Sequence, residues 1–362
     1  MDLFEKAKIL GSAGEYDSCG PKMCEVKVQS GLGGIYHAKA EHKTCRIFKT
    51  LMDNTCSFDC KYCANASGCK KKAIRYEPDE LAKVFDFLNK NLSVDGLFLS
   101  SGVSKDPDTA TKRMIEAVKI IRQKKGFNGY IHFKVLPGTS YELIKQASKF
   151  STRMSINIEA PNKNILSELS SCKDYKIDIL KRQAWISRLE LSSGQTTQMM
   201  INNLATDKEI LRMARWEYDK LSLKRVYYSS FRPVKGTPLE HEKQEPFSRQ
   251  NHLYNVDFLM RDYKFKLEEF ELIMNDGMLP NKDPKLSLAM NFFDKPIDIN
   301  QASFNDLIRV PGIGPISAKR ILESNRKIKR YSELQNFGVW INRAKPFIEV
   351  DGKKQKMLTA FS

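Results

Sequence analysis

Residues 55 to 63 read Thr-Cys-Ser-Phe-Asp-Cys-Lys-Tyr-Cys, which places Cys56, Cys60 and Cys63 at the spacing C-x3-C-x2-C. Thiolate is the soft ligand that iron-sulfur clusters require. This spacing wraps a short loop around one face of a [4Fe-4S] cluster and directs three thiolates to three of its irons. Because only three cysteines are offered, the fourth iron stays open to a small molecule with nitrogen and oxygen donors.

Zinc is the alternative ion for these cysteines. Structural zinc usually takes four protein ligands in paired C-x2-C or C-x2-C/H-x3-H arrangements, and Cys69 would have to serve as the fourth ligand here. Farther toward the N-terminus, Cys19, Cys24 and Cys45 either hold a second cluster or are ordinary thiols. They contain no C-x2-C pair, which favours ordinary thiols.

With Tyr62 directly before the third cysteine, this motif resembles that of the radical S-adenosylmethionine (radical SAM) enzymes. The resemblance implies that SAM chelates the open iron through its amino and carboxylate groups. It also implies that one electron from the cluster splits SAM into methionine and a 5′-deoxyadenosyl radical, which removes a hydrogen atom from the substrate. In such an enzyme the protein binds and positions the cofactors and the substrate, and the cofactors perform the radical reaction.

Composition favours a cytoplasmic protein with a polyanionic partner. The 362 residues suggest two domains, or one large domain with an appendix, and 41% of them are hydrophobic. No run approaches the ~18 apolar residues of a membrane span, and the first residues lack the layout of a signal peptide. The eight cysteines are irregularly spaced, unlike a secreted disulfide framework. A net charge of +17 favours nucleic acid, and the alternative is a lysine-rich surface composition.

Strand and helix patterns alternate about six times between residues 45 and 245. Repeated alternation of this kind is the signature of parallel βαβ units. Six units are fewer than the eight of a closed barrel, so the predicted class is α/β, an open, partial (β/α)6 TIM-like barrel. The radical SAM resemblance implies the same fold. The predicted strands are 46–52, 96–102, 129–135, 153–161, 193–201 and 223–230.

Polar residues near the ends of these strands are the predicted cofactor-binding groups. The turn Ser100-Ser101-Gly102 stands where the resemblance implies a glycine-rich turn for the SAM amino group, although it departs from the usual Gly-Gly-Glu form. Asn157 and Glu159 share one strand face by the period of two. The resemblance implies contacts from this strand to the SAM ribose or methionine, and a buried structural carboxylate is the alternative. The set is completed by Tyr62, Lys134 and Gln198.

The C-terminal segment carries a second pattern. A capping-box-like start at residues 303–306 opens a helix that ends at Val310. It is followed by Pro-Gly-Ile-Gly-Pro at 311–315 and by a second helix from residue 316 to about 327. This resembles the helix-hairpin-helix motif, and residues 331–338 resemble the start of a second, degenerate hairpin.

The hairpin is the predicted nucleic-acid-binding site. Gly312 and Gly314 let the backbone approach a phosphate closely, and the N-terminus of the second helix presents unpaired N–H groups. Lys319 and Arg320 add positive charge. Such contacts hold the sugar-phosphate backbone and read little sequence. The pattern favours nucleic acid over protein contacts, and DNA over RNA.

The chain as a whole resembles the bacterial family described as DNA modification or repair radical SAM proteins. That family implies a DNA glycosylase-like protein as a partner, and a radical SAM enzyme needs a one-electron donor such as flavodoxin or ferredoxin. The predicted parts are an N-terminal extension (1–44), the barrel (45–245), a helical extension with a connector (246–296) and a small all-α helix-hairpin-helix domain (297–362). The supporting segments are 54–56, 96–103, 127–132, 195–198 and 310–314.

The leading hypothesis is an enzyme that modifies or repairs a nucleotide in DNA, reached by flipping it out of the stack. One alternative is radical SAM modification of RNA such as tRNA, and another is a non-catalytic, DNA-binding iron-sulfur protein. Cys172 is either a hydrogen donor to a product radical or an ordinary thiol in a loop.

Overall fold

The computed structural model describes residues 1–14, 34–40, 43–324 and 326–354. They divide into two units. Residues 1–205 and 212–246 form the first unit, and residues 206–211 and 247 onward form the second. No described helix is long and apolar enough to cross a membrane.

A seven-stranded sheet forms the centre of the first unit, and its strands follow one another in chain order. Strands β2 to β7 pair in parallel, which confirms the predicted partial (β/α)6 barrel as a curled half-barrel. Strand β1 lies in the predicted N-terminal extension and adds an antiparallel edge to β2. The strands are β1 Ile35–Ala40, β2 Lys43–Leu51, β3 Gly96–Ser100, β4 Tyr130–Lys134, β5 Arg153–Ser155, β6 Gln195–Ile201 and β7 Arg225–Ser230.

Helices connect the parallel strands, as the alternation predicted. Their ends follow local sequence signals: Asp106 caps the third helix by accepting from Thr109 N–H at 2.8 Å, and Pro107 occupies its first turn. The helices are α1 Leu3–Ser12, α2 Pro78–Leu92, α3 Pro107–Gln123, α4 Tyr141–Ser148, α5 Lys163–Leu169, α6 Lys181–Ile186 and α7 Asp207–Leu221, with one π-helical segment at Tyr175–Leu180.

The strand predicted over 153–161 is wrong in its length. β5 ends at Ser155, and Glu159 has a φ of +62°, a left-handed conformation that is uncommon for residues other than glycine. Beyond β5 the chain still follows β6, where Glu159 N–H donates to Gln198 O at 3.0 Å. The period of two therefore does not place Asn157 and Glu159, because the segment that carries them is irregular.

The second unit is mainly helical. Its small sheet departs from the all-α domain predicted for residues 297–362, because strand pairing between residues about 50 positions apart has no local sequence signal. The range predicted as a helical extension with a connector (246–296) holds three helices. The helices are α8 Phe247–Asp262, α9 Leu267–Glu271, α10 Pro284–Phe292, α11 Phe304–Arg309, α12 Pro315–Leu322 and α13 Ile341–Ala344. The sheet has the order β10-β9-β8, with β8 Ile297–Asp298, β9 Ile348–Val350 and β10 Lys353–Lys354.

A buried polar cluster joins β6, α6 and α7. Gln183 Nε2 donates to Glu217 Oε1 at 2.9 Å and lies 3.2 Å from Thr197 Oγ1. Within the described part of the chain the second carboxyl oxygen of Glu217 has no hydrogen-bond partner. Burial raises the pKa of Glu217 from 4.5 to about 8, so this carboxyl stays protonated at neutral pH.

We expect Glu217→Gln to remove a pH dependence of stability. The unfolded chain releases this proton near pH 4.5 and the folded chain near pH 8. The folded state therefore binds more protons in this window, and stability falls as pH rises through it. Thermal melts at pH 5 and pH 8.5 should show that the parent loses more stability than the variant. Equal losses would contradict this account of Glu217.

Candidate functional site

The loop with the three cysteines begins at the carboxyl end of β2 and runs against the turn that follows β3. Gly102 N–H donates to Asp53 O at 2.7 Å, and Ser57 N–H donates to Val103 O at 2.6 Å. A Cβ on Gly102 would lie 2.2 Å from the Thr55 carbonyl oxygen. Only glycine allows this approach, so Gly102 fixes the position of the cysteine loop. The SAM contact predicted for this turn is a separate role and stays a prediction.

Two buried polar side chains, Asp53 and Asn54, fix the start of the loop. Asp53 Oδ1 accepts from the backbone N–H and the hydroxyl of Thr55 at 2.7 and 2.6 Å. Asn54 donates to Lys72 O at 3.0 Å and accepts from Ile74 N–H at 2.8 Å. The side chain of Asn54 therefore ties the segment that enters the loop to the segment that leaves it.

The three cysteines lie in one short, partly enclosed turn. Cys63 N–H donates to Cys60 O at 3.0 Å, and Cys60 is buried while Cys56 and Cys63 are half-buried. Burial raises the pKa of Cys56, and it raises the pKa of Cys63 to about 11. These thiols are protonated in the metal-free protein, so binding a metal must release protons.

Asp59, which stands between the first two cysteines, anchors the loop to the segment after α5. Its carboxylate accepts from Ser170 Oγ at 2.6 Å, from Ser171 Oγ at 2.5 Å and from Cys172 N–H at 3.3 Å. Burial opposes the charge, but these hydrogen bonds prevail and hold the pKa of Asp59 well below its usual range. Because the partners are 111 residues apart along the chain, no sequence signal pointed to this contact.

Lys173 follows this anchor and lies beside the cysteines. Its Nζ hydrogen-bonds Cys60, lies 3.4 Å from Tyr62 Oη and is 5.9 Å from the ring centroids of Phe58 and Tyr62. Burial would lower the pKa of Lys173, but attraction to Cys60 and Glu159 outweighs it and raises the pKa. Lys173 therefore carries a positive charge at the site, and no sequence pattern indicated this role.

Glu159 is the shared partner of the other predicted side chains near the cysteines. Asn157 Nδ2 donates to Glu159 Oε1 at 3.3 Å, and the hydroxyl of Tyr62 hydrogen-bonds the same carboxylate. Burial, followed by the charge of Glu159, raises the pKa of Tyr62 well above 10, so the phenol stays neutral. The structure thus brings Tyr62, Asn157 and Glu159 together, although their contacts to SAM stay predictions.

Of the remaining predicted cofactor residues, Ser100, Ser101 and Lys134 lie at the carboxyl ends of strands, and Gln198 lies in the middle of one. Ser100 ends β3, Lys134 ends β4, and the hydroxyl of Ser101 donates to Gly102 O at 2.7 Å. Gln198 lies on β6 and lines a small cavity among the strands of the half-barrel. The cavity lining is Phe98, His132, Ser155, Asn157, Thr196, Thr197, Gln198 and Tyr227.

His132 is a cavity residue that the sequence analysis did not single out. Its Nε2 lies 2.8 Å from Ser155 Oγ, and its ring meets that of Phe98 edge-on with centroids 4.3 Å apart. Lys49 is buried on β2 with its ammonium 5.3 Å from the Phe98 ring centroid. The strand period of two was the available signal, since His132 and the predicted Lys134 share one face of β4.

The hairpin of the second unit packs tightly against its own domain. Gly312 has a φ of +88°, and a Cβ there would lie 2.5 Å from Trp340 O. Gly314 is the N-cap of α12, where a Cβ would lie 3.1 Å from the Tyr263 hydroxyl. Lys285 donates to the Ile313 carbonyl between them at 2.5 Å. These two glycines therefore have a packing role, beside the phosphate contact predicted for them.

The two predicted cations of the hairpin, Lys319 and Arg320, are exposed on α12. Lys319 also lies 3.7 Å from Glu323, as an exposed pair one helical turn apart. Exposed ion pairs contribute little to stability, so Lys319 can leave Glu323 and pair with another anion at low cost. Both side chains are thus available to a polyanion at the surface.

The donor set fits an iron-sulfur cluster. In the ranges that the structure describes, no three His, Cys, Asp or Glu side chains stand close enough to hold a single metal ion. A [4Fe-4S] cluster with thiolate ligands carries negative charge, and three thiols on one short turn with the Lys173 ammonium beside Cys60 suit that charge. Cys45 packs against the apolar cluster of Tyr36, Ile47 and Phe98, while Cys19 and Cys24 lie outside the described residues.

Comparisons with known proteins confirm the radical SAM and helix-hairpin-helix resemblances, and the resemblance to DNA modification or repair proteins stays a prediction. Residues 51–216 match the family model of the radical SAM superfamily, and residues 293–339 match that of the helix-hairpin-helix motif. The chain therefore carries a radical SAM domain and a helix-hairpin-helix motif. The radical SAM family uses a [4Fe-4S] cluster and SAM, so the predicted cofactors are confirmed. No curated protein matches the chain.

Solved structures with a similar fold include three radical SAM proteins. The FeFe-hydrogenase maturase HydG from Carboxydothermus hydrogenoformans is 11% identical, with a TM-score of 0.49 over 59% of this chain and 51% of its own. Methylornithine synthase (PylB) is 14% identical, with a TM-score of 0.47 over 59% of this chain and 61% of its own. Native anSMEcpe with bound AdoMet is 9% identical, with a TM-score of 0.45 over 60% of this chain and 62% of its own. The chain thus spans less than two thirds of each of these proteins.

We expect Gly102→Ala to lower the iron content of anaerobically reconstituted protein several-fold, because a Cβ there displaces the Thr55 carbonyl of the cysteine loop. Overpacking of this kind costs about 1–3 kcal/mol, so the melting temperature falls as well. Gly14→Ala is the matched control, since a Cβ there meets its nearest neighbour at an ordinary 3.5 Å. Equal iron contents in the two variants would contradict the close-approach argument.

Lys173→Met should lower the reduction potential of the bound cluster, because a positive charge beside Cys60 favours the reduced, more negative state. Lys173→Arg keeps the charge, so its reduction potential should stay near that of the parent. A redox titration followed by electron paramagnetic resonance measures all three proteins. An unchanged or higher potential in the methionine variant would remove Lys173 from the electrostatics of the site.

Proposed function

We propose that the protein is a radical SAM enzyme that modifies or repairs a nucleotide in DNA. The observation that carries this proposal is the presence of a radical SAM domain and a helix-hairpin-helix motif in one strongly basic chain. The first supplies radical chemistry, and the second is suited to a sugar-phosphate backbone.

Cys56, Cys60 and Cys63 would hold the cluster. When bound, the cluster and SAM supply a 5′-deoxyadenosyl radical that removes a hydrogen atom from the substrate. The protein provides the surroundings: the Asp59 anchor holds the loop, and the Lys173 ammonium balances the negative charge of the thiolates. Reduction of the cluster requires a one-electron donor such as flavodoxin or ferredoxin.

Glu159 and its neighbours would orient SAM. The carboxylate already accepts from Tyr62 and Asn157, so its direction is fixed before a ligand arrives. A fixed carboxylate is suited to the ribose hydroxyls or the amino group of SAM. The set proposed to bind SAM is Tyr62, Ser100, Ser101, Gly102, Lys134, Asn157, Glu159 and Gln198.

Gly312, Gly314, Lys319 and Arg320 would hold the DNA backbone, and a DNA glycosylase-like protein is the proposed partner. The target nucleotide must leave the base stack to meet the radical, at a cost of a few kcal/mol that is smallest for damaged or unpaired bases. The open side of a six-unit barrel leaves room for such a large substrate.

The test is 5′-deoxyadenosine formation by anaerobically reconstituted protein with a strong reductant, alone and with DNA or RNA. We expect DNA to stimulate formation, and we expect Cys56→Ala to abolish it while DNA binding remains. Stimulation by RNA alone would favour RNA modification. A protein with an intact cluster that forms no 5′-deoxyadenosine but binds DNA would be a non-catalytic iron-sulfur protein.

A further inference from the structure

The second unit contains a second hairpin beside the first. A 3-10 segment at Tyr331–Phe337, a left-handed Gly338 with a φ of +80° and helix α13 repeat the helix-turn-helix order of α11 and α12. Trp340 N–H donates to Gly312 O at 2.9 Å, and Ser317 Oγ donates to Gly338 O at 3.1 Å. The two hairpins are therefore hydrogen-bonded to each other, through the loop of the first hairpin at Gly312 and through α12 at Ser317.

Trp340 stands at the junction of these loops with 63% of its surface exposed. Its backbone is held on both sides, because its N–H bonds Gly312 and its carbonyl accepts from Arg343 and Ala344 N–H, each at 3.1 Å. The Arg343 guanidinium lies 5.4 Å from the indole centroid and 2.9 Å from Asp283. An aromatic side chain presented to solvent by a fixed backbone is a ready contact for a partner.

The composition of the two hairpins indicates the chemistry of that partner. Along the chain, residues 311–345 hold eight Lys and Arg against two Glu. Ile316, in the first turn of α12, is 69% exposed and adds a second apolar group. An exposed aromatic side chain on a basic segment suits a polyanion that also has flat apolar faces. A nucleic acid has both, because its phosphates carry the charge and its bases can stack on the indole. An anionic membrane shares part of this chemistry, but the helix-hairpin-helix match over 293–339 favours nucleic acid.

We propose that Trp340 stacks its indole on a base of bound DNA, at a step that opens to receive it, while the two hairpins hold the backbone. The proposal rests on the DNA-binding role given above and adds the residue that contacts a base. Apolar side chains inserted at a base step unstack it and bend the duplex. Trp340 would thus supply part of the distortion that a nucleotide needs before it leaves the stack.

The experiment measures fluorescence anisotropy of a labelled duplex at 50 and 200 mM salt with the full-length protein. Trp340→Ala should weaken binding about 5- to 150-fold, the range for one lost base-aromatic stack, and leave the salt slope unchanged. Trp340→Phe keeps a ring and should recover most of the affinity. Trp216→Ala removes an indole that is 38% exposed in the first unit, and it should bind like the parent.

Two further arms separate stacking from charge. The double variant Lys319→Ala with Arg320→Ala should lower the salt slope by about 2, one for each phosphate contact. A duplex with 2-aminopurine at the opened step should change its emission when the parent binds, because the base leaves its neighbour and meets the indole. This change should be absent with Trp340→Ala.

The outcomes that overturn the proposals differ. A parent protein that binds no DNA would remove the DNA substrate from the proposed function. A parent that binds DNA, with Trp340→Ala equal to it in affinity and in 2-aminopurine emission, would overturn the stacking role alone. Loss of binding by Trp340→Ala to phosphatidylglycerol vesicles, but not to DNA, would assign the surface to a membrane instead.

Discussion

The Asp59 carboxylate is the contact on which the site of the first unit depends. It lies inside the cysteine loop and is bound by Ser170, Ser171 and Cys172 from a segment that the sequence places far away. An ionised carboxylate with several donors is among the stronger hydrogen-bonded arrangements in a protein. By holding this segment it also sets the position of the next residue, Lys173, whose charge then faces Cys60.

Charge is arranged around the cysteines so that like charges are separated by opposite ones. The thiols of Cys60 and Cys63 and the carboxylate of Glu159 would repel one another once ionised, and each is attracted by Lys173. Tyr62 adds a neutral phenol that hydrogen-bonds Glu159 without adding charge. Such an arrangement suits a negatively charged cluster, because a fixed cation would offset part of the repulsion.

In each of the two units, a glycine allows two backbone segments to approach each other closely. Gly102 lets the cysteine loop lie against the turn after β3, and Gly312 lets the first hairpin lie against the second. In each case a methyl group would have to occupy the place of a carbonyl oxygen. The glycines thus bring two functional segments together, which is a role independent of any contact to SAM or phosphate.

The sequence by itself determined the class of the fold and the motifs that carry the chemistry. Strand-helix alternation predicted six parallel strands. The spacing of Cys56, Cys60 and Cys63 predicted the cluster motif, and residues 310–314 predicted the hairpin. Each of these patterns consists of residues that are close together in the sequence. The antiparallel β1 and the early end of β5 could not be predicted, since pairing partners and a left-handed Glu159 depend on neighbouring strands. Only the tertiary structure placed Lys173 beside the cysteines and Trp340 beside Gly312. Contacts between residues distant along the chain leave no local pattern, so folding alone decided which side chains share a site.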